Sequence, residues 1–299
     1  MRSQLLLILG IVAPLLVLAQ SKNLSGRILE NANAKAIEFA QIFIPKTAIG
    51  TISDEKGNFT LSIPDNISAD SFSIFVLGYK SRTLSIVDFQ SSTDKNIGLV
   101  ADTYSGAEVE ITAKGCQNMK VINWGTTSNT GPGLFSASLG SQVAMYFPNS
   151  KSKSGYIKKV SFFISSDGIP DTKFRVRIYY ADGENAAPKS DLLVHNIVAH
   201  AEAGNEWVNI DVSSYNLEVP SDGFFVAMEW LPENSPKAEY GVGHIRGQVL
   251  CAMLESKKTD DLTWSCDFLS GNWNQHQKMK NQKNTIHPMI RAEVSICPK

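Results

Sequence analysis

The stretch "IGTISDEKGNFTLSIP", residues 49–64, decides how the first third of this chain is read. Phe59, Leu61 and Ile63 alternate with Asn58, Thr60 and Ser62, the period-two pattern of a strand with one buried face. Asp54-Glu55-Lys56-Gly57 just ahead of it has turn chemistry. An Asp side chain bonds backbone amides that follow it, and a Gly accepts the positive φ near the turn's end. The expectation is a β-hairpin of Thr51–Ser53 and Asn58–Ile63.

On either side the apolar runs are short and separated by turn residues. Leu24–Leu29, Phe39–Ile44 (stopped by Pro45), Phe72–Leu77, Arg82–Ile86 and Glu108–Thr112 read as further strands. About seven such strands with turns between them predict a β-sandwich. The order and spacing of Gly26, Phe39-Ala40, Gly50-Thr51, Asp54, Gly57, Phe59 and Gly78-Tyr79, with "EVEITA" at 108–113, make residues 22–113 resemble the carboxypeptidase-like regulatory domain family. The resemblance implies a seven-stranded, transthyretin-like sandwich of the kind found at the N-terminus of bacterial TonB-dependent receptors and other exported proteins. It implies no peptidase activity, which in that family's namesakes belongs to a separate zinc domain. A zinc hydrolase needs clustered His and Glu ligands. The five histidines, His195, His200, His244, His276 and His287, form no HExxH. The chain ends at Lys299, short of a receptor's plug and barrel, so transport is not expected.

Arg2 followed by the apolar Leu5–Leu18 and by Ala19 reads as a signal peptide over residues 1–19. The run is shorter than the ~20 residues that span a bilayer. No transmembrane span is expected, and the protein is expected to be periplasmic, outer-membrane-associated or extracellular. A formal net charge of −1 argues against nucleic acid as a partner. In an oxidising compartment Cys116, Cys251, Cys266 and Cys297 are expected to form disulfides. Cys251 and Cys266 bracket a hairpin-sized polar segment, so the expected pairs are Cys251–Cys266 and Cys116–Cys297. The second pair would close a loop of about 180 residues, worth ~4–5 kcal/mol in the chain-entropy model.

Residues 114–140, with "TTSN" at 126–129 and "GPG" at 131–133, read as a linker or leading loop. Residues 141–297 then carry eight candidate strands: Gln142–Phe147, Tyr156–Ile164, Lys173–Tyr180, Leu192–Ala199, Glu206–Val212, Phe224–Leu231, Gln248–Leu254 and Ile286–Val294. An all-β fold results, a transthyretin-like sandwich followed by a larger jelly-roll-like sandwich. Phe224, Val226, Met228 and Trp230 form one apolar face. Arg175 and Arg177 alternate with Phe174, Val176 and Ile178, which predicts a charged, wet face on that strand.

Catalytic patterns are scarce. No GxSxG occurs, and Glu229 is a lone mid-strand carboxylate where glycoside hydrolysis needs two. No cofactor is expected. Calcium is the one candidate metal, through the loop residues Asp167, Asp171, Asp182, Glu184 and Asp191, whose spacing is not that of an EF-hand. Trp264 and Trp273 stand in the polar stretch "DDLTWSCDFLSGNWNQHQKMKNQKN". Indole faces stack on sugar C–H faces while amides read hydroxyls. Trp264, Trp273, Asn272, Asn274, Gln275 and His276 are therefore the expected ligand-binding set. The function expected is a non-enzymatic, exported cell-envelope binding or adhesion protein, its partner a glycan or another envelope protein. The alternative is an exported hydrolase whose site lies in the second sandwich.

Overall fold

The computed structural model describes residues 21–47, 49–102, 118–129, 131, 133–135, 140–231, 247–255, 262–267, 271–276 and 285–297. The expected leader, Cys116 and the strand expected at Glu108–Thr112 lie outside these residues. No helix among the described residues is long and apolar enough to cross a membrane.

The first core draws on residues between Leu24 and Leu99. Seven strands enclose it: β1 (Ser21–Glu30), β2 (Gln41–Phe43), β3 (Gly50–Ile52), β4 (Asn58–Pro64), β5 (Ser71–Phe75), β6 (Arg82–Ser85) and β7 (Asn96–Leu99). They form two sheets, β4-β1-β7 and β3-β2-β5-β6. The expected alternation holds in β4, where Phe59, Leu61 and Ile63 are buried and their neighbours exposed. The turn also holds. Asp54 Oδ1 accepts the amides of Lys56 (2.9 Å) and Asn58 (2.8 Å), and Gly57 has φ +79°. A Cβ at Gly57 would meet the Ile28 carbonyl at 2.4 Å, so only glycine fits.

The hairpin expectation is corrected. β3 pairs with β2 in one sheet and β4 pairs with β1 in the other, so the Asp54–Gly57 turn carries the chain across the sandwich. Period-two alternation fixes which face is buried and is silent on which strand lies alongside. A strand that the alternation had not marked, β7, runs parallel to β1, with Ile28 opposite Ile97. A short helix, α1 (Ile86–Ser91), precedes it, N-capped by the Ser85 hydroxyl. It sends Phe89 into the core against Phe72 (ring centroids 5.2 Å apart) and Phe59 (6.3 Å).

The second core runs from Val143 to Ile296. Its strands are β8 (Lys120–Gly125), β9 (Gly133–Phe135), β10 (Gln142–Phe147), β11 (Gly155–Ser165), β12 (Phe174–Tyr180), β13 (Ile197–Ala199), β14 (Glu206–Asp211), β15 (Phe224–Trp230), β16 (Val249–Glu255), β17 (Thr263–Cys266), β18 (Trp273–Gln275), β19 (Thr285–Pro288) and β20 (Ile290–Ile296). One sheet has the order β13-β12-β15-β10-β17-β18. The other has β19-β16-β11-β20-β8, with β14 paired to β11 and β9 to β16. Phe224, Val226, Met228 and Trp230 lie in the core between them, as expected. Two short strands fall inside the expected linker. β8 continues the sheet beyond β20, with Ile122 and Trp124 packed on the core, and β9 pairs with β16. Turn residues on both sides of such short segments masked their pairing, which is made with distant strands.

Candidate functional site

Two features of the second sandwich concentrate chemistry. One is a cleft of about 450 Å³ between the two sheets, bounded by β8, β10, β16, β19 and Leu262. Two of its lining rings, Trp124 and Phe147, are backed by the buried Phe224, which stacks on Trp124 (5.8 Å, 25°) and on Phe147 (5.4 Å, 24°). Gly125 lets β8 close on β20, since a Cβ there would stand 2.5 Å from the Ile290 carbonyl. Hydrogen-bonding groups at the cleft come from Asn123, Thr126, Tyr146 and His287. The Tyr146 hydroxyl donates to the Asp222 carbonyl, which leaves its oxygen to accept. Burial and then the nearby Asp222 carboxylate push that hydroxyl's pKa up, so it stays protonated. His287 Nδ1 sits 3.0 Å from the Thr263 hydroxyl. That hydroxyl donates its proton to the Ile286 carbonyl (2.9 Å), so Nδ1 is the donor to Thr263. Among the described residues no Lys, Arg, Asp or Glu lines the cleft.

The other feature is the outer face of the six-stranded sheet. Arg175 on β12 and Glu229 on β15 are register partners. Glu229 Oε1 accepts Arg175 Nη1 at 2.9 Å, and Oε2 accepts Arg177 Nη1 at 3.0 Å. Arg177 also forks onto Asp191, with Nη2–Oδ1 at 2.8 Å. The expectation of a wet face is corrected, because Arg175 is 0 % exposed, Arg177 6 % and Glu229 2 %. The first sandwich covers them. Gln41 Nε2 donates to Glu229 Oε1 (2.5 Å), Arg175 Nη2 donates to the Phe39 carbonyl (2.6 Å), and the Phe75 ring lies against both guanidiniums. Burial raises the Asp191 carboxyl above its ordinary range, against the pull of Arg177.

The expected ligand-binding set is only partly brought together. Trp264 is 7 % exposed and packs its ring edge-on to Phe225, so the expectation of an indole standing in a polar loop is corrected for it. Its strand pairs with β10, which the polar letters around it concealed. Trp273 is half-buried on the edge strand β18, with its ring against Tyr179 (5.6 Å). Asn272, Asn274 and Gln275 are exposed beside it. His276 is half-buried, with Nε2 2.8 Å from Ser265 Oγ, and burial lowers its pKa, which keeps the imidazole neutral at pH 7. Sequence reasoning missed Trp124, Tyr146 and His287. The alternation "VINWG" at 121–125 was the available signal for the first of them.

The calcium candidates do not converge. Asp167 accepts from Ser165, Asp182 from the Ser190 amide, and Asp191 from Arg177. Among the described residues no three His, Cys, Asp or Glu side chains form a metal-holding group. The expected Cys251–Cys266 bond is corrected: both are buried free thiols, Cys251 on β16 in one sheet and Cys266 on β17 in the other. Cys297 is not among the free thiols, and Cys116 lies outside the described residues.

Over 245 residues, 81 % of this chain, the sequence is 22 % identical to the TonB-dependent receptor P3 of Formosa agariphila. The chain covers 21 % of that receptor's length. Residues 24–111 match the family model of the CarboxypepD_reg-like domain, whose span takes in every strand of the first sandwich from Leu24 onward. The first sandwich of this chain is a CarboxypepD_reg-like domain.

Proposed function

We propose that this protein is a non-enzymatic, exported cell-envelope binding protein whose second sandwich holds an uncharged glycan. The observation that carries the reading is the cleft lined by the Trp124 and Phe147 rings, with its amide, hydroxyl and imidazole rim and no formally charged lining among the described residues. Its volume suits a drug-sized or disaccharide-sized ligand, and an aromatic lining with a few polar groups is what a sugar's C–H face and hydroxyls require. The half-buried Trp273, packed with Tyr179 on the outer face of the six-stranded sheet, and the exposed Asn272, Asn274 and Gln275 beside it offer a second contact surface for the same partner, apart from the cleft. Likeness to a TonB-dependent receptor supports an envelope setting. Glu229, the best carboxylate for glycosidase chemistry, has both oxygens engaged by arginines, which supports binding over hydrolysis. A panel of neutral and charged oligosaccharides, titrated calorimetrically against the parent and Trp124→Ala, tests this. Binding of a neutral member, weakened at least tenfold by Trp124→Ala, is expected; binding only to charged members, or none, sinks the reading.

The hydrolase reading has one observation of its own. Ser265 Oγ and His276 Nε2 stand 2.8 Å apart, a nucleophile–base distance, with a neutral imidazole. Labelling by a fluorophosphonate, lost in Ser265→Ala, would favour it. An unlabelled parent leaves the pair as a cross-strand hydrogen bond.

A further inference from the structure

The outer face of the six-stranded sheet presents two arginines and two carboxylates, and taking such charges out of water is expensive unless every one of them finds a partner. Within the second sandwich that accounting is incomplete. Glu229 Oε1 takes a further bond from Gln41, and Arg175 Nη2 is satisfied by the Phe39 carbonyl, both of them groups of the CarboxypepD_reg-like domain. Asn196 holds both sides at once. Its Oδ1 accepts Arg175 Nε (2.7 Å), and its Nδ2 donates to the Glu38 carbonyl (3.3 Å). The apolar part of the seam is aromatic: Phe75 against the two guanidiniums, and Phe39 beneath the Lys173 ammonium at 4.5 Å.

Phe39 adds an independent sign. Its φ is +55°, a conformation that bulky L-residues avoid and that persists only where surrounding contacts hold it. Those contacts are the bond from its amide to the Ser53 carbonyl (2.9 Å) and the bond from Arg175 to its own carbonyl. The strained residue thus lies at the docking contact itself.

We infer that this sheet face is a docking surface for the chain's own CarboxypepD_reg-like domain, and that the two sandwiches work as one rigid body in which the first domain is a fixed cover and not a swinging spacer. The cleft, on the same sandwich, is then presented at one fixed angle to the first domain.

Arginine-selective modification of the full chain by phenylglyoxal, read residue by residue by mass spectrometry, tests this. In the parent, Arg175 and Arg177 should stay unmodified while the exposed Arg27 and Arg82 react. Gln41→Ala combined with Phe75→Ala, both on the first domain, should raise modification of Arg175 and Arg177 at least tenfold. Should that pair of changes unfold the first domain, Asn196→Ala loosens the seam from the other side with the same expected rise. Two results overturn the inference. Reaction of Arg175 at the rate of Arg27 in the parent would mean that the domains swing apart. Continued protection in the folded, loosened variants would mean that the second sandwich shields its arginines unaided.

Discussion

Arg175 and Glu229 face each other across the β12–β15 ladder with Nη1 and Oε1 2.9 Å apart, and neither is more than 2 % exposed. Arg177 approaches the second oxygen of the same carboxylate, so one glutamate bridges two buried cations, with Asp191 as the second anion. Removing it strands Arg175 and leaves Arg177 to Asp191 alone. Glu229→Ala should destabilise the protein by about 3–5 kcal/mol, as loss of one member of a buried pair does. Urea unfolding of the parent and variant measures this. A loss below ~1 kcal/mol would mean that water reaches the arginines, since exposed pairs are worth no more than that.

The Asp54 turn offers a milder test with a defined pH dependence. Burial acts to raise its carboxyl, but hydrogen bonds from Asn58 and the Lys56 amide, with the Lys56 charge, outweigh it and hold the group below its ordinary range. Asp54→Ala should cost about 1 kcal/mol at pH 7 through the lost bonds to backbone amides. A folded pKa lowered below the unfolded one means that this stabilisation is complete above the ordinary carboxylate value of ~4 and is lost as pH falls through the folded value. The gap between parent and variant in denaturant midpoint should therefore close on acidification from about pH 4 downward.

Trp264 and Trp273 should separate cleanly. Trp264→Ala empties a buried site against Phe225 and should cost about 3–5 kcal/mol. Trp273→Ala removes a half-buried edge ring and should cost clearly less, while weakening glycan binding if this second surface contacts the glycan. Thermal unfolding of both variants, beside the calorimetric titration, reads stability and binding independently.

Thiol chemistry tests the cysteine arrangement. Burial and then the Asp267 carboxylate push the Cys266 thiol up to about 11, and burial raises Cys251. Neither should react with a maleimide in the native protein at pH 7.5. In denaturant without reductant two thiols should appear, and four after reduction, if Cys116 and Cys297 are joined. Four thiols before reduction would refute that bond.

What was legible in the letters was local. Alternation in "NFTLSIP" gave the buried face of β4, that in "FFVAMEW" the side of β15 turned to the core between the sheets, and Asp54 with Gly57 gave the turn. These follow from the two-residue repeat of a strand and from the conformational freedom of particular residues, both readable within a few positions. The spacing of glycines and aromatics likewise identified the first domain. Pairing was not legible. β3 and β4 look like the arms of a hairpin and lie in opposite sheets, because alternation names a face and never a neighbour. The charge pattern of β12 misled for a related reason: Arg175 and Arg177 read as wet until Gln41, Phe39 and Phe75, residues of the first sandwich, are placed over them. The cleft depends on the same kind of contact. Trp124, Tyr146 and His287 come from three strands that share no sequence pattern, and only the closure of two sheets puts them around one space.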